Sequence, residues 1–109
     1  MTGIVSVYAV FANDEEARRI GRMMIEERMA ACVNILGPCF SIYRWRGEVE
    51  EAEEVAAIFK TTSGQSPALI KRIADLHSYE APAAVAWPIE GVSEVYDRWV
   101  RENSGQNGP

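Results

Sequence analysis

The sequence predicts one α+β domain whose elements run β, α, β, β, α, β, with an additional helix at the C-terminal end. Three observations carry this. Short runs rich in β-branched and aromatic residues alternate with stretches whose apolar residues recur at helical spacing. Gly47 stands between two extended runs, which is a hairpin signal. The chain has 109 residues, room for one core and not for two. We place the domain at 1–102 and read the polar segment 103–109 as a disordered tail.

Ile4 to Phe11 has strand composition and ends at the turn residues Asn13-Asp14. Asn13 is a candidate N-cap with Glu16 three residues on, and Ala17, Ile20, Gly21 and Met24 then follow at helical spacing, so a helix is expected from about Asp14 to Met29. Ala31 to Leu36 is apolar, is interrupted by Gly37-Pro38 and resumes as Phe40 to Trp45, the pattern of a strand with a kink or bulge. The segment 48–61 sets propensity against pattern. Its glutamates and alanines favour helix by composition, but Val49 and the run Val55 to Thr61 read as extended, and with Gly47 they make the second arm of a hairpin.

Ser66-Pro67 reads as an N-cap followed by proline at the first helical position, and Leu69, Ile70, Ile73 and Leu76 give the second helix an apolar stripe to about His77. Ala83 to Ile89 is a fourth strand whose Pro88 places it at an edge or a strand end. Val92, Val95, Tyr96, Trp99 and Val100 mark the last helix. This order is the split-βαβ arrangement, with helices on one face of an antiparallel sheet. Aromatic residues on the other face imply burial against another subunit.

Composition excludes several classes of function. Asp and Glu number 16 against 11 Lys and Arg, a net charge of -5, which opposes binding to nucleic acid and to anionic membrane surfaces. No apolar run approaches the ~18 residues of a membrane helix, and the first residues lack the basic region of a secretory signal, so the expected compartment is the cytoplasm. Cys32 and Cys39, spaced C-x6-C, match no zinc or redox pattern and read as buried free thiols. No Gly-rich phosphate loop or nucleophile triad is present, which argues against an enzyme.

His77 is the single histidine and the first candidate metal ligand, for its neutral imidazole suits copper, zinc or nickel. The plainer reading makes it a cap at a helix C-terminus. The glutamates from Glu48 to Glu54 could present oxygen ligands to a hard cation, or form a solvated face that pairs with Arg44 and Arg46 across the hairpin, the reading we prefer. Tyr43, Trp45, Tyr79, Trp87 and Trp99 suit a subunit contact, since interface cores favour Tyr, Trp and Arg. Lys60, Tyr79 and Glu80 could share a cleft that binds a small anion or moves protons, although a salt bridge from Lys60 to a carboxylate is the simpler expectation.

Four blocks in order, Ala31-Cys32-Val33-Asn34-Ile35, Ser41 to Val49, Lys60-Thr61 and His77 to Pro82, resemble the CutA family of divalent-cation tolerance proteins over roughly Ile4 to Val100. The resemblance implies a ferredoxin-like fold assembled as a homotrimer, with the long hairpin extending a neighbour's sheet and a lateral cleft between subunits, an architecture similar to PII signalling proteins. It also implies weakly bound Cu2+ or another divalent cation, a response to metal ions and no enzymatic reaction. Of the cysteine and adjacent histidines expected in the copper-associated members, this sequence keeps only His77, with Val10 and Phe11 ending the first strand and Leu76 before the histidine. The alternative is a small-molecule-sensing or catalytic cleft at the subunit interface.

Overall fold

The computed structural model describes residues 2–105. Seven elements follow the expected order: β1 (Ile4–Phe11), α1 (Asp14–Glu26), β2 (Cys32–Trp45), β3 (Glu48–Thr62), α2 (Ser66–Leu76), β4 (Ala84–Pro88) and α3 (Glu94–Glu102). One antiparallel sheet carries the strands in the order β2-β3-β1-β4. Pro88 ends β4, which is an edge strand, where a residue without an N–H costs the ladder nothing.

Alternation along the strands builds the core. Val5, Val7, Ala9 and Phe11 of β1 and Val55, Ala57 and Phe59 of β3 point to one face, where Ala17, Ile20 and Met24 of α1 and Leu69 and Ile73 of α2 close over them. α1 starts as Asn13 Oδ1 accepts the Glu16 N–H at 2.8 Å, while Glu16 Oε1 accepts the Ala12 N–H at 3.0 Å. The helix stops at Glu26 rather than near Met29 because Arg28 turns left-handed, φ 61°, and its guanidinium donates to the Gly105 and Glu102 carbonyls. At α2 the cap is Gln65, not Ser66; Ser66 is already helical and its hydroxyl donates to the Ser63 carbonyl.

The second arm of the hairpin is strand throughout, from Glu48 to Thr62. Cross-strand pairing with β2 overrides its helical composition, as tertiary context commonly does. The expected kink is a bulge between Ile35 and Gly37, beyond which β2 and β3 continue as a two-stranded ribbon. Arg46 (φ 51°) and Gly47 (φ 84°) close it, both left-handed as a two-residue hairpin turn requires. Residues 103–105, expected as the start of a loose tail, are tied down: Ser104 is buried and donates to the Val100 carbonyl, and the Gly105 N–H donates to the Arg28 carbonyl. Residues 106–109 of that expected tail lie outside the described residues.

Candidate functional site

The hairpin end overhangs the loop between α2 and β4 and encloses a groove of about 610 Å³. Strand parity decides which side chains line it. Tyr43 pairs with Glu50 and Trp45 with Glu48, and Glu54 lies further along the same face, so Tyr43, Trp45, Glu50 and Glu54 look into the groove while Phe40, Ile42 and Val49 turn away. The loop supplies Tyr79 and Glu80 from the opposite wall.

Tyr79 joins the two walls. Its hydroxyl donates to Glu54 Oε2 at 2.8 Å, and burial followed by that hydrogen bond pushes the phenol well above its ordinary range. Glu54 is 7 % exposed, a nearly buried carboxylate. Arg46 reaches across the mouth to Glu80, with donor distances of 3.2 and 3.4 Å to the two carboxylate oxygens, and its guanidinium carbon lies 5.4 Å from the Trp45 ring centroid. The pairing of Arg44 and Arg46 with hairpin glutamates is therefore not the one formed. Arg44 donates to the Gly47 carbonyl at 3.2 Å, and Arg46 pairs with Glu80.

Of the residues singled out in the sequence, Tyr43, Trp45, Tyr79 and Glu80 converge on this groove, whereas Lys60 and Trp87 do not. Lys60 is six positions from Glu54 along β3, about 20 Å at ~3.3 Å per residue. Its ammonium donates to Asn34 Oδ1 at 3.2 Å, and among the described residues it makes no salt bridge to a carboxylate. Trp87 stacks on Tyr8, centroids 5.1 Å apart, on the sheet face away from α1 and α2, and remains 47 % exposed.

His77 caps α2 and points inward. Its Nδ1 accepts the Tyr79 N–H at 3.0 Å, which leaves Nε2 to donate to the Val10 carbonyl at 2.8 Å. In this arrangement neither nitrogen is free for a metal. Beside it Glu16 is buried, which by itself would raise its pKa, but the N–H groups of Ala12 and Ser78 and the Ser78 side chain lower it overall. Among the described residues no three His, Cys, Asp or Glu side chains converge as a metal site. Cys32 and Cys39 are free and half-buried; Cys32 Sγ lies 3.2 Å from the Tyr96 hydroxyl, whose pKa burial and this contact push up to about 12. No helix among the described residues is long and apolar enough to cross a membrane.

Sequence reasoning missed Glu54. It treated the glutamate run as one solvated face, while strand alternation sends Glu50 and Glu54 to the groove and Glu51 and Glu53 to the other side.

A family model described as CutA1 divalent ion tolerance protein matches residues 5–103. The chain belongs to the CutA1 family. Its relatives include the divalent-cation tolerance protein CutA of Thermus thermophilus, 46 % identical over 93 residues that cover 85 % of this chain and 90 % of that one. Human Protein CutA is 40 % identical over 100 residues, 89 % of this chain and 56 % of that protein. A solved structure of the Thermus thermophilus divalent cation tolerance protein superposes with a TM-score of 0.90 at 43 % identity, covering 94 % of this chain and 99 % of that one. The CutA1 likeness therefore spans the groove, both helices that build the core and the whole ribbon.

Proposed function

We propose that this chain is a non-enzymatic, homotrimeric protein of divalent-cation tolerance, working in the cytoplasm. The observation that supports this best is the ribbon. Phe40, Ile42 and Val49 are 61 %, 64 % and 63 % exposed on an element that extends the molecule to 46 Å in its longest dimension, and Trp87 and Val85 are about half exposed on the sheet face away from α1 and α2. Apolar surface of this kind is buried in association, and copies of the same chain around a rotation axis bury it without leaving an open patch. The free thiols of Cys32 and Cys39 suit a reducing compartment.

In this reading a divalent cation such as Cu2+ is held weakly, by side chains drawn from more than one copy, since the described residues of one chain bring together too few ligands. His77 joins such a site only by giving up the Val10 carbonyl or the Tyr79 N–H. Calorimetric titration of metal-free protein with Cu2+ tests this directly. The reading expects weak uptake that His77→Ala leaves unchanged; loss of uptake in that variant would return the histidine to the site, and no uptake at all would remove direct cation contact from the account.

A further inference from the structure

The groove under the hairpin end pairs aromatic faces with carboxylates, a lining that suits an organic cation. Tyr43, Trp45 and Tyr79 give it aromatic faces, and Glu50, Glu54 and Glu80 give it negative charge. Glu54 is nine-tenths buried, and Tyr79 engages only its Oε2; Oε1 has no hydrogen bond among the described residues. Arg44 also lines the groove, and its guanidinium donates to the Gly47 carbonyl. The guanidinium of Arg46 already occupies the mouth, with the Trp45 face on one side and both oxygens of Glu80 on the other. An aromatic face and a carboxylate on one cation is how proteins recognise ammonium and guanidinium groups.

We infer that this groove is a binding site for a small organic cation, an ammonium or guanidinium group on a short apolar stem, and that Arg46 is its intramolecular competitor at the mouth. The head group meets Glu54 and the aromatic faces, and the stem lies against Ala81 and Ala83. A volume near 610 Å³ is that of a small-molecule site. Arg46 is easily displaced. Its ion pair with Glu80 is 72 % and 67 % exposed, a setting in which ion pairs contribute little. The groove is formed within one chain, so the inference rests on neither the trimer nor the metal.

Calorimetric titration of the full chain with agmatine, which carries both head groups, tests it in buffer containing a chelator. Wild type is expected to bind. Arg46→Asn keeps a residue suited to the two-residue turn and removes the competitor, so it should bind about two- to fivefold more tightly. Glu54→Gln, nearly the same shape without the charge, should weaken binding by at least about tenfold. Absence of binding in both wild type and Arg46→Asn overturns the inference, as does weaker binding by Arg46→Asn or a preference for ATP over agmatine. Light scattering on the same samples separates the readings: a monomer that binds agmatine strikes the trimer alone, and a trimer that does not bind strikes this inference alone.

Discussion

The two ends of the same hairpin live under different rules. At its base, from Val55 to Thr61, alternate residues of β3 are sealed between β1 and the helices, and Ala57, Phe59 and Thr61 are fully buried. Beyond the bulge the alternation continues in the ribbon, yet among the described residues nothing covers the face that carries Phe40, Ile42 and Val49, and these stay open. One pattern thus serves two purposes. At the base it stabilises the fold, and at the tip it prepares a surface for a partner and walls a groove.

Substitutions separate the two roles. Phe59→Ala at the base should have the largest effect, a loss of about 3–5 kcal/mol in denaturant unfolding, because it empties a packed site beside Phe11. Glu16→Ala should cost about 1–3 kcal/mol by leaving the Ala12 and Ser78 N–H groups without their acceptor. Its pH dependence has a definite sign. The folded pKa of Glu16 lies below the ordinary 4.5, so its contribution is complete above that value and is lost as pH falls through the folded value. Unfolding of Glu16→Ala should accordingly vary less with pH below about 4.5 than wild type does.

Asn13→Ala should cost about 1 kcal/mol, the usual worth of an N-cap, again read in denaturant. Ile42→Glu at the tip should change the fold least. Its signature is different: the wild-type unfolding midpoint should rise with protein concentration and that of Ile42→Glu should not. A concentration dependence shared by both would place the assembly surface elsewhere.

The base of the molecule was legible in the sequence because its signals are local and agree: the Asn13-Glu16 cap, the stripe from Leu69 to Ile73, and the alternation of Ile4 to Phe11. Even the helical composition of 48–62 yielded to Gly47 between two extended runs. The groove was legible only in part. Tyr79 and Glu80 meet the hairpin through contacts 25 and 34 positions apart, Tyr79 with Glu54 and Glu80 with Arg46, which no local pattern announces. Lys60 was grouped with them by chemistry, and the register of β3 sets it near the far end of the strand. The inward turn of His77 depends on the Val10 carbonyl at the end of β1, likewise invisible in sequence.

The central claim is that the ribbon is an assembly element, and static light scattering of the purified chain tests it most directly. The account predicts a mass three times the 12.1 kDa of one chain, falling toward that of one chain in Ile42→Glu. A wild-type mass of 12.1 kDa at every concentration measured would contradict it.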